Sequence, residues 1–335
     1  MSAPASPRAS KPILSPRSSA LLEKKSGRAI EFLLARGTLP ILYWLKKDIL
    51  SVSAEREYRN LEKYGERIRI LEGQASDGCW RLKKTVASVP GGPSSYFFET
   101  IRNGLRLYDF GCDAGQTAIV KAVDYILSTQ RRDGILGGGD WLEPSLVGHA
   151  LALEFLCRFG LDGDARVQKG FRRLIRNQLA DGGWAIPLGQ DEAAAGKSRR
   201  KKRQAASSRI TGIVLRALAE SPRRHSSREA RRAGEWIQEC LLREKSSAAA
   251  PSASGWEEIA YPFREANILS NLDALARLGF RPDGAGVRLS LEWLIRRQNA
   301  AGCWESKQAK SSGDDHLWAT LAVLRVLKTF GLISP

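Results

Sequence analysis

The sequence predicts an all-α repeat protein of about five helical hairpins with extra N-terminal helices, on three observations. A short Gln-to-Gly phrase recurs along the chain, an amphipathic run precedes each copy, and a more apolar run follows it. The phrase reads Gln74-Ala-Ser-Asp-Gly78-Cys-Trp80, Gln130-Arg-Arg-Asp-Gly134-Ile-Leu136, Gln178-Leu-Ala-Asp-Gly182-Gly-Trp184 and Gln298-Asn-Ala-Ala-Gly302-Cys-Trp304. The intervals between the glutamines are 56, 48 and 120 residues. The last is twice 60, so a decayed copy is expected between the third and fourth, where Trp236-Ile-Gln-Glu-Cys-Leu-Leu and then Gly255-Trp256 stand.

The run before each phrase places apolar residues three and four apart, as in Val123, Ile126, Leu127 or Leu291, Leu294, Ile295, which makes a helix with one buried stripe. The glycine that follows stops it. The runs after the phrases, Ser95 to Tyr108, Ser145 to Phe159, Ser208 to Ala219, Glu265 to Leu278 and Asp315 to Phe330, are apolar on more than one face. Such helices belong inside, so each hairpin has an outer and an inner member. Residues 1–20, rich in Ser, Pro and Arg, are expected to be a disordered basic tail. Residues 21–63 are expected to form N-terminal helices packed on the repeat region at 64–332, with Pro40 opening the helix that carries Ile41, Leu42, Trp44 and Leu45. Residues 190–206 are expected to form a solvated basic loop.

At 335 residues and 43% hydrophobic, the chain is long enough for a large core. Its net charge of +17 is concentrated: residues 1–28 carry +5, Lys197 to Arg203 +6 and Pro222 to Arg232 +4, which leaves the remainder near neutral. Basic appendages on a near-neutral body suit solubility or attraction to an anionic membrane surface, and no specific nucleic-acid groove is expected. The five cysteines form no CxxC pair and their number is odd, which suits a reducing, cytoplasmic setting. The first 20 residues lack the apolar core of a secretory signal, and the apolar stretch from Ala29 to Leu50 is broken by Glu31, Arg36, Pro40 and Lys46, so no membrane span is expected.

The phrase of Gln, three residues, Gly, one residue and Trp, following an amphipathic helix, resembles the repeat of squalene and oxidosqualene cyclases over about residues 62–330. The resemblance implies an α/α toroid, a barrel of the terpenoid cyclase and protein prenyltransferase kind. It also implies that each Gln amide ties one outer helix to the next while the Trp ring covers it, so these residues are structural. Small prokaryotic proteins with prenyltransferase or squalene-oxidase repeats are similar in the segment Pro40-Ile-Leu-Tyr-Trp-Leu-Lys-Lys-Asp-Ile-Leu50, in Tyr261-Pro-Phe263 and in the last inner helix.

In such barrels the inner helices start at one mouth of a central cavity, which makes residues there the candidates. Acids and histidines at these starts are Glu99, His149, Glu265, Asp314, Asp315 and His316, with Glu143 nearby, and the aromatics are Phe98, Trp141, Tyr261, Phe263 and Trp318. Ring faces beside acids are what a carbocation pocket needs. Ser312-Gly-Asp-Asp-His316 resembles the Asp-x-Asp-Asp pattern of proton-initiated cyclases with Asp314 as the donor, but Ser312 replaces the first acid. Either aspartate also suits a helix cap. His316 resembles the zinc-binding histidine of protein prenyltransferases, yet that site needs an upstream Asp-x-Cys, and Cys112, Cys240 and Cys303 have no Asp two residues before them. No metal and no cofactor is expected. His149 is either a core residue or, if it faces Asp314 or Glu265, half of an acid and base pair.

Three functions fit. One is a terpenoid-cyclase-like enzyme acting on a hydrophobic isoprenoid or lipid in the central cavity by acid-initiated carbocation chemistry. Another is a non-catalytic lipid- or peptide-binding toroid whose basic segments dock on an anionic surface. The third is a glycan-processing barrel using Glu99, Glu143 and Glu265, against which the cyclase-like phrase speaks.

Overall fold

A computed structural model describes residues 16–81, 93–137, 145–185, 205–241, 258–262, 266–306 and 314–334. Most of the basic loop, the decayed phrase near Trp256, and Trp141, Phe263 and Glu265 lie outside these residues. The chain opens with α1 (Pro16–Arg36), α2 (Leu39–Trp44), which runs into a π-helical stretch Leu45–Leu50, and α3 (Glu55–Leu61). Five hairpins follow: α4 (Gly65–Glu72) with α5 (Pro93–Asp109), α6 (Thr117–Ser128) with α7 (Leu146–Arg158), α8 (Ala165–Ile175) with α9 (Ser208–Glu220), α10 (Arg228–Cys240) with α11 (Ile268–Arg277), and α12 (Ala285–Arg296) with α13 (Asp315–Thr329). Among the described residues there is no strand. Residues 16–20, expected in the tail, are helical, because Pro16 sits at the one helical position where a missing N–H costs nothing.

Burial separates the layers. In α9 every residue from Ile210 to Ala219 is buried, whereas α10 buries only Ala230, Ala233, Gly234 and Ile237, a single stripe. The inner helices pack in chain order, α5 on α7, α7 on α9, α9 on α11 and α11 on α13. Glycines 111, 160, 279 and 331, just past the ends of α5, α7, α11 and α13, take the left-handed conformation that stops each helix.

The recurring phrase is a clasp between successive outer helices. The amide of Gln74 donates to Gly78 O (2.9 Å), closing its own turn, and to Ala118 O at the start of α6 (2.8 Å). Gln130 does the same with Gly134 O (3.0 Å) and Arg166 O of α8 (2.8 Å), and Gln178 with Gly182 O and Glu229 O of α10 (both 2.9 Å). The glycine in the phrase has φ between +87° and +99° in all four copies. A Cβ there would also lie 2.3–2.9 Å from a carbonyl oxygen of the neighbouring outer helix, so only glycine allows the approach.

The fourth clasp closes the ring. Gln298 donates to Gly302 O (2.7 Å) and to Lys25 O of α1 (2.8 Å), and a Cβ on Gly302 would meet Arg28 O. The N-terminal helix therefore stands where the next outer helix belongs, with α1 and α2 packed against α13. At the decayed copy, Gln238 lies sixty residues from both Gln178 and Gln298 and remains inside α10. There α12 approaches through Gly284 and Gly286, which leave room for the Gln238 side chain and carbonyl.

Candidate functional site

The residues expected at the starts of the inner helices are placed as follows. Asp314 is the N-cap residue of α13, but its side chain accepts no capping hydrogen bond, and Asp315 is buried. His316 turns towards α1, its ring 6.0 Å from that of Phe32. Glu99 pairs with Arg102, and Phe98 is exposed with its edge against Phe97. His149 is fully buried: Nδ1 accepts from Leu136 N–H and Nε2–H donates to Gly170 O of α8, both at 3.0 Å. Both nitrogens are thus engaged in the frame, and burial pulls the imidazole pKa down to about 4.

Two of the expected residues do meet. Tyr261, on the segment before α11, stacks on Trp318 of α13 (5.6 Å, 10° between planes), and its hydroxyl donates to Asp109 Oδ1 at the end of α5 (2.7 Å). Arg106 lies over the other aromatic neighbours, 5.1 Å from the Trp318 ring and 4.5 Å from Phe110. The interior between α5 and α13 is therefore filled by the protein's own rings, and burial pushes the Asp109 carboxyl above its ordinary pKa.

Along the C-terminal ends of α7, α9 and α11 the interior is ionic. Arg216 bonds Glu154 at 2.6 Å with both side chains buried, Arg277 bonds Glu220 (3.0 Å) and Asp273 (3.1 Å), and Arg158 pairs with Glu154 and Glu220. Burial opposes the Arg158 charge, but the two glutamates outweigh it and hold the guanidinium pKa well above the ordinary value. One Asp-x-Cys step that sequence reasoning passed over, Asp77-Gly-Cys79, lies in the first clasp, where Asp77 Oδ1 accepts from Cys79 N–H and Oδ2 from Arg81. Among the described residues no cluster of His, Cys, Asp and Glu is arranged to hold a metal ion.

Among the described residues a cavity open to solvent lies at these helix ends. It measures about 480 Å³ and lies between the α2 segment, α3, and the ends of α5 and α7. Its wall carries five aromatic rings, Tyr43, Trp44, Tyr58, Tyr108 and Phe159, together with Lys47, Cys112, Asp113 and Arg158. The rings are locked. The Trp44 indole donates to Asp109 O (2.7 Å) and stacks on Tyr108 (5.5 Å), and Phe159 meets Tyr108 edge-on (5.7 Å). Burial pushes the Cys112 thiol up to about 11, so it serves as apolar wall and not as a nucleophile. The backbone beside the cavity is unusual, because Lys47 lies in the π-helical stretch and Ser51, which ends it, takes φ +53°.

Sequence reasoning missed this site. The sequence marks Pro40 to Leu50 as a helix and a family resemblance but not as a site, and it places the candidates where the inner helices begin. A signal was present in Phe159-Gly160, the aromatic-Gly step that ends α7, since it sets a ring in the cavity wall where that helix stops.

No sequence family and no curated protein matches this chain. In structure it is similar to a protein from Actinoplanes, at 15% identity and a TM-score of 0.51, over 92% of this chain and 99% of that one. It is also similar to a glycosidase (13% identity, TM-score 0.47, 96% of this chain and 100% of that one) and to the type II terpene cyclase MstE from Scytonema (12%, TM-score 0.31, 94% and 100%). The architecture is an α/α toroid, and at these identities the likeness speaks to the fold alone.

Proposed function

We propose that this protein binds a small hydrophobic molecule of the isoprenoid or lipid class in the aromatic cavity between α2, α5 and α7. The observation that carries this is a cavity of about 480 Å³ with five rings in its wall, of which Trp44, Tyr108 and Phe159 are held in place by the contacts above. That volume falls in the range of small-molecule sites, and pre-positioned rings bury apolar surface without losing side-chain freedom on binding. The nearest titratable wall groups are already committed, Arg158 to two glutamates and Asp113 to Gly115 N–H (2.8 Å), so the wall holds its ligand more readily than it transforms it. Native mass spectrometry of the full chain, followed by calorimetric titration with farnesol, tests the reading. Binding in the micromolar range that Trp44→Ala weakens by tenfold or more (about 1.4 kcal/mol or above) supports it, and farnesol affinity unchanged in that variant refutes it.

One observation favours a second reading, acid-initiated chemistry at Asp314: the carboxylate at the start of α13 is not used as a cap. Product formation from a polyprenyl substrate that Asp314→Asn abolishes would support it. Attachment to an anionic surface through the basic segments accompanies either reading. No helix among the described residues is long and apolar enough to cross a membrane, so such attachment would be peripheral.

A further inference from the structure

The charges around the cavity specify the head of its ligand, an inference that rests on the apolar-ligand reading above. Three of the five rings already face a cation of the protein. Lys47 Nζ lies 5.3 Å from the Tyr43 centroid and 4.9 Å from that of Trp44, Arg325 lies 4.9 Å from Trp44, and Arg158 lies 5.2 Å from Tyr108. On these three rings a negative face that would stabilise a cationic ligand is therefore already occupied.

The cations differ in how they are balanced. Arg325 is neutralised by Asp48 (2.7 Å), and Arg158 by Glu154 and Glu220. Lys46, the neighbour of Lys47, is paired with Glu57 (2.7 Å). Lys47 itself has no carboxylate partner among the described residues. Among the described residues its hydrogen bond is to the Tyr43 hydroxyl at 3.1 Å, the Asp48 charge favours its own without forming an ion pair, and it is exposed at the cavity mouth. The single carboxylate in the wall, Asp113, accepts from Gly115 N–H and from the Tyr58 hydroxyl (3.5 Å). The cavity thus presents an unbalanced ammonium beside an aromatic wall.

We infer that the ligand is an anionic amphiphile, an apolar body carrying a phosphate or carboxylate head, with Lys47 as the residue that recognises the head. The body lies against Trp44, Tyr108 and Phe159, and the head meets Lys47 at the mouth, where the ammonium gains the charge-assisted bond it lacks. A cationic head meets repulsion at the same place.

Three probes with one chain separate head from body: farnesyl phosphate, farnesol and farnesylamine, each titrated calorimetrically into the full-length protein at pH 7. The expected order is phosphate tightest, by at least about tenfold over the alcohol, and amine weakest, since a hydrogen bond to a charged group contributes on this scale. Lys47→Met brings the phosphate to within about threefold of the alcohol, whereas Lys47→Arg keeps the preference. Thermal melting of both variants at the wild-type temperature shows that the fold is intact. Equal binding of the three probes, or a preference that survives Lys47→Met, overturns the anionic head but leaves the apolar-ligand reading standing. Failure of all three probes to bind overturns both. Displacement of farnesyl phosphate by equimolar inorganic phosphate also overturns the inference, because it would mark a plain anion site with no use for the rings.

Discussion

The second clasp differs from the others in a way that makes stability depend on pH. In the first, third and fourth clasps the backbone N–H of Trp80, Trp184 and Trp304 donates to a threonine of the following inner helix, Thr100, Thr211 and Thr320, at 2.9–3.1 Å. The indole N–H then donates to the carbonyl four residues before the glutamine, Ile70, Leu174 or Leu294. The second clasp has Leu136 in place of the tryptophan and His149 in place of the threonine. The bond that the missing indole would make is supplied by Thr129, whose hydroxyl donates to Ile126 O (2.6 Å) and accepts from Gly137 N–H (3.0 Å). The larger imidazole faces the smaller leucine, and it adds a bond to Gly170 O of the next outer helix.

Because Nδ1 must accept from Leu136 N–H, His149 holds the clasp only when neutral. Burial lowers its folded pKa from 6.5 to about 4. Above pH 6.5 neither folded nor unfolded chain carries the proton and stability is unaffected. Between pH 6.5 and 4 the unfolded chain binds a proton that the folded chain refuses, so stability falls with pH across that window and levels off below it. A shift of this size amounts to about 3 kcal/mol, from roughly 1.4 kcal/mol per pH unit. Carboxylates titrate in the same range, so the comparison is the pH dependence of wild type minus that of His149→Thr, read from urea midpoints at pH 7 and pH 4.5. The difference should narrow or reverse by most of that amount at the lower pH.

The same exchange predicts a coupling. His149→Thr alone leaves a void and loses the bond to Gly170 O, at about 2–4 kcal/mol, and Leu136→Trp alone overpacks against the imidazole at about 1–3 kcal/mol. Together they rebuild the clasp found in the other three copies, so the double variant should recover at least about 2 kcal/mol relative to the sum of the singles. A flat difference between pH 7 and 4.5, or strictly additive losses, would refute the account of His149 as a substitute clasp residue.

Two further outcomes follow from the ring. Gln298→Ala removes both bonds that join the last repeat to α1 and should lower unfolding stability by about 1–3 kcal/mol, with amide exchange rising first in α1, whereas unchanged protection of α1 would mean that packing alone closes the ring. Glu154→Leu strips Arg216 of its 2.6 Å carboxylate partner and Arg158 of one of two, and should cost about 3–5 kcal/mol by urea denaturation, whereas a loss below 1 kcal/mol would show that water reaches this interior.

The outer helices, the inner helices and their order were legible because each rests on local pattern: one apolar stripe against nearly all-round burial, and a glycine that only one backbone conformation accommodates. Ring closure was not legible in the same way. Nothing local to Lys25 marks it as the acceptor for Gln298, which is 273 residues away, because a backbone carbonyl carries no side-chain signature. The cavity escaped for a related reason. Tyr43 and Lys47 come from the N-terminal segment, while Tyr108 and Phe159 come from the ends of two inner helices, and the packing of that segment on α5 brings them together. The candidates at the inner-helix starts were chosen by chemistry that needs an open interior, whereas Trp318 and Tyr261 pack that interior shut between α5 and α13.

This placement links the frame to the site. The cavity wall from α2 is held by the Trp44 bond to Asp109 O, by Arg325 of α13 bonded to Asp48, and by Lys328 of α13 donating to Ile49 O (3.0 Å) and Ser51 Oγ (2.9 Å). The first bond ties the N-terminal segment to α5 of the first hairpin and the others tie it to α13 of the last, so closure of the ring braces one side of the wall. A ligand that binds the braced wall more tightly than the unbraced one must favour the closed ring by that difference in binding free energy. Gln298→Ala, which loosens closure from a distance, should therefore weaken ligand binding without touching the cavity, and saturating ligand should restore the protection of α1. If the variant loses α1 protection yet binds as the wild type does, the wall forms independently of the ring and the link fails.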